Sequence, residues 1–530
     1  MEIPLTQQQP DQYQSDPEGQ ILRNVVVTPN GIRLRPGAKL FLDTGEAAKV
    51  CGLTDWYSQG LILIVVNGKV FSIADPIAGT GLSYLLLEDG GRLILEDGQG
   101  ALLLDTIPVP IDVTSDAFST TQPTVFANYG EIMFFADGGV LKELHPAAIN
   151  VTHSATNYRC IKNNVNITPP NATYWTTAGA VAGNAWNSYT RYGSGFADET
   201  DDSWPSNISF IGISSGYLIA LEDGTQTIHY SVVDEPWNYD ADFVIANQAP
   251  DDGTALKIYA NDIYVAGRRS IQMYVNDGST PWVPSSYGDI STGCIARYSF
   301  IQIDGTFLFI DTQRRLVSLQ TGGREPQVLS ESLNTFLKTI PDVQDAESDE
   351  VTIDGITYYI CRFITAEKSF MLNINSKTWT EVDYNDAGLY RALNQIQATY
   401  VPRWDMVIAG TEDGSILMLD SNYGNDNTVA MTGYIRSPRI HTPVRVIARN
   451  LIISLTKVAT VISAGSASFT VRWRDDGGEW STAVTITMDD RTKTDFVKTI
   501  NRLGSYRQPR QYEFSVDNLW PYAIQRVEQV

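Results

Sequence analysis

The chain has 530 residues, of which 43% are hydrophobic and 10% aromatic, and its formal net charge at pH 7 is −23. The length allows one large domain or two to three smaller ones, and the apolar share is enough for a full core. The charge disfavours a protein that binds nucleic acid over its whole surface, because phosphates are repelled. The acidity is uneven: residues 433–530 carry 14 Lys and Arg against 9 Asp and Glu, which leaves 24 against 52 in residues 1–432.

The N-terminus is rich in Gln, Pro and Asp and has no hydrophobic pattern up to residue 20. This composition predicts a flexible arm over residues 1–23, or a segment that becomes ordered on a partner. It lacks the basic stretch and apolar core of a signal peptide, and the chain has no apolar run long enough to span a bilayer. We therefore expect the protein to fold in the cytoplasm without a membrane span.

Seven segments share one pattern, in which a polar turn, an apolar strand, a short turn and a returning strand follow each other. They lie at residues 58–73, 127–144, 213–232, 257–275, 302–319, 352–373 and 402–419. Four of the return turns hold dipeptides that accept the positive φ of tight hairpins: Asn67-Gly68, Asp137-Gly138, Asp223-Gly224 and Asp413-Gly414. The last four steps between opening turns are 46, 43, 50 and 50 residues, near the period of propeller blades. A single hairpin cannot bury its apolar face, so an all-β fold is predicted, with a six- or seven-bladed β-propeller over residues 24–432.

The first interruption of this period, residues 77–110, contains a short internal repeat. Residues 82–106 read LSYLLLEDGGRLILEDGQGALLLDT, so that apolar triplets alternate with acidic turns. The pattern predicts a small ribbon, and exposed aliphatic strands tend to aggregate unless they are covered. We expect the ribbon either to cover the edge of a blade or to form a contact between subunits.

The second interruption, residues 145–208, is rich in Asn, Thr, Ser, Tyr and Gly. Long insertions within compact domains are often functional, and the aromatic content argues against disorder. The sequence therefore predicts an interaction loop, with a plain packed excursion as the alternative. The candidate partner-contact residues are Trp175, Trp186, Tyr189 and Tyr192.

The C-terminal part, residues 433–530, has longer strands with clear alternation of apolar residues at Phe469, Val471 and Trp473. This pattern predicts an antiparallel β-sandwich domain. Only residues 331–340 have a helical pattern. Arg502, Arg507 and Arg510 form a candidate basic contact surface, although basic residues on a small sheet are more often solvated or paired with acidic neighbours.

The residue types used in catalysis and metal binding are scattered along the chain. The four histidines have no metal-binding spacing and the four cysteines no CxxC pair, so we expect no metal, no cofactor and no catalytic residues. Propeller glycosidases, however, place two carboxylates from separate blades in a central pocket. A β-propeller glycan hydrolase or glycan-binding protein therefore remains an alternative.

Several segments together carry a family resemblance. The runs TPNGIRLRPGAKLF, TGEAAKVCGLTDW, LILIVVNGKVFSI, SSGYLIALEDGTQTIHYSV and NRLGSYRQPRQYEFSVDNLWPYAI resemble the packaged-DNA stabilisation proteins of short-tailed bacteriophages, also called tail hub or tail nozzle proteins. The resemblance extends over residues 24–530 and is weakest in the two insertions.

This resemblance implies a structural protein of the virion tail, assembled in the host cytoplasm and without catalytic residues. It implies a homohexameric ring below the portal and its adaptor, with a propeller in each subunit and double-stranded DNA in the axial channel. Such a ring closes the tail, retains packaged DNA and carries fibres or a needle. An unrelated cytoplasmic propeller scaffold is a third hypothesis.

Overall fold

A computed structural model of the protein is nearly all β. It describes residues 2–5, 21–74, 110–113, 117–130, 132–145, 150–153, 156–160, 164–165, 172, 175–180, 189–192, 204–236, 239, 241–246, 249, 251–278, 282–286, 288–386, 388–441, 444–458, 467–475, 477–488, 494–506, 509–517 and 520–530. The described residues include one α-helix, Asn334–Thr339, inside the predicted range. They also include 3₁₀ turns at Tyr57–Gln59, Arg297–Ser299 and Pro402–Trp404.

Seven antiparallel sheets of at least four strands form consecutive blades, each running from an inner to an outer strand. Blade 1 comprises Val50–Trp56, Leu61–Val66, Lys69–Ala74 and Ile111–Asp112. Blade 2 comprises Val125–Tyr129, Ile132–Ala136, Lys142–His145 and Asn164–Val165. Blade 3 comprises Ile208–Ser214, Tyr217–Glu222, Thr227–Tyr230 and Phe243–Ile245.

The remaining four blades follow the same order. Blade 4 comprises Gly253–Tyr259, Asp262–Gly267, Ile271–Val275 and Val283–Pro284. Blade 5 comprises Ile301–Ile303, Thr306–Ile310, Leu316–Gln320 and Gln327–Val328. Blade 6 comprises Ala346–Ile353, Ile356–Phe363, Lys368–Asn373 and Thr378–Asp386, the last paired also with Leu389–Ala392. Blade 7 comprises Ile396–Val401, Met406–Gly410, Ser415–Asp420 and, from the N-terminal part of the chain, Gly37–Asp43.

Each predicted hairpin forms the second and third strands of one blade, so the propeller fold is confirmed and the blade count is seven. The return turns adopt the backbone that their residues predict, with φ of 50° at Asn67 and 86° at Gly414. Apolar layers lie between consecutive blades and complete the ring. Ile64 of blade 1, for example, packs in one buried cluster with Ile408 of blade 7.

The chain closes this ring by returning to its own beginning. Gly37–Asp43 pairs antiparallel with Ser415–Asp420 and supplies the outer strand of blade 7. It also pairs with Asn425–Asp426, which in turn pairs with Val429–Ala430. Blade 7 is therefore built from both ends of the propeller segment, and this pairing closes the ring of blades.

The insertion at 145–208 is more structured than a loop. Asn164–Val165 is the outer strand of blade 2. The strands Trp175–Ala180, Thr156–Cys160, Asn150–His153 and Tyr189–Tyr192 form a separate four-stranded sheet in that order. The predicted ribbon at 82–106 lies outside the described residues.

A two-sheet sandwich, the terminal sandwich, combines both chain ends. One sheet has the order Val25–Thr28, Gly31–Leu34, Tyr522–Gln529, Asn450–Lys457 and Asp495–Asn501. The other has the order Ile21–Arg23, Gly433–Arg436, Arg510–Val516, Ala467–Asp475 and Val484–Met488. Val446–Ile447 and Ser505–Tyr506 form a further short pair. The predicted alternation holds, because Phe469 and Val471 are fully buried and Trp473 packs against them.

The N-terminus departs from the expected flexible arm at its described residues. The Ile3 backbone N–H donates to the Val527 carbonyl at 2.8 Å, and the Ile3 and Leu5 side chains are buried in the sandwich core. The apolar side chains thus add to the core of the terminal sandwich. The further strands up to Leu34 also lie in the sandwich sheets, although the sequence suggests that they belong to the propeller.

The propeller and the terminal sandwich are joined through a continuous sheet and buried charges. Ile21–Arg23 pairs on one side with the outer strand of blade 6 and on the other with Gly433–Arg436. Beside this strand, the buried Arg35 guanidinium donates to both carboxylate oxygens of Asp426, at 3.0 and 2.6 Å. Such paired hydrogen bonds fix relative orientation more than neutral ones do. The sandwich is therefore held against blades 6 and 7.

Candidate functional site

The hub of the propeller, where the inner strands surround the axis, is bridged by the 3₁₀ turn Arg297–Ser299. This hub segment leads into blade 5 and packs against the inner strands of blades 4 and 6. Tyr298 reaches past them, and its hydroxyl donates to the side-chain oxygen of Gln122, which leads into blade 2, at 2.9 Å. Arg297 pairs with Asp223 of blade 3 at 2.9 Å. Side chains of the protein itself therefore link blades 2, 3 and 5 across the hub.

Further contacts hold the hub segment in place. The hydroxyl of Tyr359 in blade 6 donates to the Ser299 carbonyl at 3.3 Å. The Tyr298 ring packs against Phe210 of blade 3, with ring centroids 5.7 Å apart, and burial raises the pKa of Tyr298 to about 12. The phenol is thus neutral at physiological pH and acts as a hydrogen-bond donor.

A second set of contacts joins blades 1, 6 and 7 at the face where the inner strands begin. Lys49, just before blade 1, forms an ion pair with Glu347 of blade 6. Arg362 of blade 6 binds Glu412 of blade 7 at 2.7 Å and lies 3.7 Å from Glu347. Two cations therefore neutralise two carboxylates, which is the arrangement that makes buried charge tolerable.

Asp349 is the carboxyl of this region whose pKa is most perturbed. Burial, and then the nearby charge of Glu347, raises its pKa to about 6, against the attraction of Arg362. One carboxylate oxygen accepts the backbone N–H of Gln397 from blade 7 at 3.1 Å. Asp349 thus lies in the interface between blades 6 and 7 as a packing group.

This geometry bears on the glycan alternative. Glycoside hydrolysis requires two carboxylates on either side of a substrate-sized pocket. In the described part of the hub, Glu347 and Glu412 are held by cations, and Tyr298 and Arg297 occupy the space between blades. The described hub contacts therefore favour a structural role for these two carboxylates over a catalytic one.

Metal-binding groups and reactive thiols were sought among the residues whose positions are described. No group of three or more His, Cys, Asp or Glu side chains there is arranged to hold a metal ion. Cys51, Cys294 and Cys361 are free and buried, and burial raises the pKa of their thiols to about 11, 12 and 12. Neutral, buried thiols are poor nucleophiles. Among the described helices none has the length and apolar character needed to cross a membrane.

The candidate basic surface is corrected at Arg510. This side chain is only 1% exposed, donates to both oxygens of Asp475 at 2.6 and 2.8 Å, and donates to the Leu503 carbonyl at 3.0 Å. It is buried because strand Arg510–Val516 lies in the middle of its sheet. Arg502 is exposed with φ of 64°, and Arg507 lies outside the described residues.

The candidate aromatic contacts are located only in part. Trp175, Tyr189 and Tyr192 lie on strands of the separate sheet formed by the insertion, and Trp186 is outside the described residues. Trp204, near the end of the insertion, stacks on Tyr239 of blade 3 with ring centroids 4.5 Å apart. Partner contact by the four candidate aromatics stays a prediction.

Sequence reasoning missed two features. The hub segment has no motif, because its importance comes from the meeting of blades that are distant in sequence. The other is a basic sheet face on which Arg436, Arg472 and Arg474 surround the Trp480 ring at 4.6 to 5.3 Å. The sequence does contain a signal for this basic face: Arg472 and Arg474 are two residues apart on one strand, and such residues share a face.

Comparison with known proteins supports the family resemblance. Residues 170–423 match the model of a protein family described as bacteriophage P22 Gp10, beta-propeller. The matched residues include blades 3 to 6 and the first three strands of blade 7. The match supports the resemblance to packaged-DNA stabilisation proteins and suggests a structural protein of a phage. No curated protein sequence matches the chain.

Three solved structures illustrate the low level of similarity. A computationally designed protein, Ika8, has 10% identity and a TM-score of 0.34, covering 72% of this chain and 99% of its own. The N-terminal domain of Nup159 has 9% identity and a TM-score of 0.37, covering 76% and 99%. YCF48 from Cyanidioschyzon merolae has 9% identity and a TM-score of 0.35, covering 72% and 98%. These similarities are too weak to bear on function.

Proposed function

We propose that this protein is the subunit of a homohexameric nozzle, or hub, ring in the tail of a short-tailed phage. The ring lies below the portal and adaptor, closes the DNA channel, retains the packaged DNA and carries the fibres or needle. The subunit acts as a scaffold and has no catalytic role. The observation that carries this proposal is a propeller of the phage stabilisation family whose hub is bridged by its own side chains.

The bridged hub supports a path for DNA outside the individual propellers. The major groove of a DNA duplex is alone about 12 Å wide, whereas Tyr298 and Gln122 are in direct contact across the hub at 2.9 Å. DNA therefore runs along the axis of the ring, outside each individual propeller. The acidic body, −28 over residues 1–432, limits adhesion of DNA, because non-specific affinity grows with the number of phosphates that basic residues neutralise.

The test is the oligomeric state in the presence of the adaptor. Native mass spectrometry of the purified protein, alone and with the portal–adaptor complex, is expected to give six copies per complex. The same preparation is incubated with a panel of glycans as the test of the alternative function. Monomers that bind or cleave a glycan, and that never join the portal–adaptor complex, would overturn the proposal.

A further inference from the structure

In the described part of the chain, the edge strands of the terminal sandwich include two that line a common groove and each have one unpaired side. Among the described residues, Val484–Met488 pairs only with Ala467–Asp475, and Asp495–Asn501 pairs only with Asn450–Lys457. The two open strands belong to different sheets and face a common groove. Unpaired backbone N–H and C=O groups on such strands are the usual template for pairing with another chain.

Between these strands lies a groove of about 460 Å³, the edge groove, lined by residues 484–487 and 498–501. Its floor is apolar, because Val484 and Ile486 pack against the sandwich core and Ile500 is buried in it. The groove therefore continues the core of the sandwich to the surface. An extended segment with aliphatic side chains fits such a floor, since burying each one stabilises the complex.

One cation lies in this apolar setting. Lys498 lines the groove, with its ammonium 5.7 Å from the centre of the Phe496 ring, and it has no carboxylate within ion-pair distance in the described part of the chain. An inward-pointing lysine on an edge strand discourages indiscriminate pairing. The same lysine selects a strand that brings a carboxylate with it.

We propose that the edge groove of one subunit binds residues 82–106 of a second copy of this chain. That segment offers the aliphatic triplets Leu85–Leu87, Leu93–Leu95 and Leu102–Leu104 to the apolar floor. It also carries five carboxylates against one arginine, a net charge of −4, opposite Lys498 and a C-terminal region of net +5.

The contact is heterologous, since the groove of one subunit receives a segment that belongs to the propeller part of the next. Heterologous contacts form closed rings when the rotation between copies closes. The inference rests on the proposed ring function and names the contact that holds neighbouring subunits together. In this arrangement each subunit both donates a segment and accepts one.

Two variants separate the two halves of the contact. The first replaces residues 82–106 by a Gly–Ser linker, and the second blocks the groove with Ile486→Asp and Lys498→Glu. Neither is expected to form rings alone. When mixed, they are expected to form pairs that grow no further, because only the second variant donates a segment and only the first accepts one.

Lys498→Glu alone is expected to raise the concentration for half-assembly about tenfold, equivalent to one lost charge contact. Lys338→Glu, the same charge change on the exposed face of the helix in the propeller, is the matched control. Melting curves establish that each variant is folded. Rings formed by the deletion variant alone, or the absence of mixed pairs, would overturn the inference while leaving the proposed function intact. Failure of the unmodified protein to form rings, alone or with the portal–adaptor complex, would instead count against the proposed function.

Discussion

Individual side chains in this protein act mainly at interfaces between blades and sheets. Arg510, one of the residues that the sequence presents as a basic contact, instead binds Asp475 and the Leu503 carbonyl inside the fold. Its burial was not predictable, because the central position of its strand depends on pairing with Gly433–Arg436 and Ala467–Asp475 from elsewhere in the chain. Residue type and local pattern predict a charge, whereas strand order determines whether the charge reaches solvent.

Arg510→Ala is expected to lower the free energy of unfolding by about 2–3 kcal/mol, because it leaves buried hydrogen-bond partners unsatisfied. Asp475 is partly exposed, so water reduces the loss. Chemical denaturation measures the effect. The control, Arg502→Ala at an exposed position, should change stability by no more than about 0.5 kcal/mol. Equal effects of the two substitutions would mean that Arg510 is not buried.

Asp349→Asn is expected to stabilise the protein at neutral pH. The pKa of Asp349 is about 6 in the folded protein, above the ordinary value of 3.8, so the folded state retains this proton where the unfolded state has lost it. Stability therefore falls as pH rises from about 4 to 6, and the substitution removes that loss, a gain of about 1–3 kcal/mol above pH 7. The gain should shrink toward pH 4.

Denaturation of the Asp349→Asn variant at pH 4.5 and 7.5 measures this difference. Asp342→Asn is the matched control, because Asp342 is exposed and also accepts a backbone N–H, from Gln344 at 2.8 Å. A loss of stability at pH 7.5 in the Asp349 variant would show that the charged carboxylate is favourable there.

At the scale of elements, much of the propeller could be predicted from the sequence. All seven hairpins contain apolar strands, and four contain a turn dipeptide. These local signals were enough to predict the hairpins, each of which forms the second and third strands of a blade. The outer strand of blade 7 could not be predicted, since Gly37–Asp43 pairs with residues nearly four hundred positions away. The same holds for the N-terminal strands of the terminal sandwich, which have no partner nearby in sequence.

Gly414→Ala tests the turn that lies beside the closing strand. Gly414 has φ of 86°, and a Cβ there would lie 1.8 Å from the Glu46 carbonyl oxygen. Backbone strain and this clash together are expected to cost about 3 kcal/mol or more, seen as a lower denaturation midpoint. Gly355→Ala, at φ of 75° with open space around it, should cost only about 1 kcal/mol. Equal losses would contradict the clash at residue 414.

The insertion at 145–208 is predicted to bind a partner, and its strands suggest how to remove it. Because Asn164–Val165 completes blade 2, replacement of residues 166–203 by a Gly–Ser linker is preferable to removal of the whole insertion. The variant is expected to keep its melting temperature within a few degrees and to bind other tail proteins more weakly, as measured by co-purification. Aggregation of the variant would show that the segment belongs to the core.

At the scale of the whole molecule, the protein is an acidic ring of blades joined to the terminal sandwich through a shared sheet. The resemblance of scattered segments suggests the family, and the match over residues 170–423 supports it. Composition alone predicts neither the bridging of the hub nor the open strands of the sandwich, because both arise from residues far apart in sequence. The candidate assembly surfaces could therefore be identified only from the folded structure.

Cryo-electron microscopy of the tail assembled on packaged virions tests the central claim most directly. We expect six copies of this chain around one axis, with DNA density along that axis and none through the hub where Tyr298 meets Gln122. DNA passing through the centre of an individual propeller, or tails that lack a ring of this protein, would contradict the account.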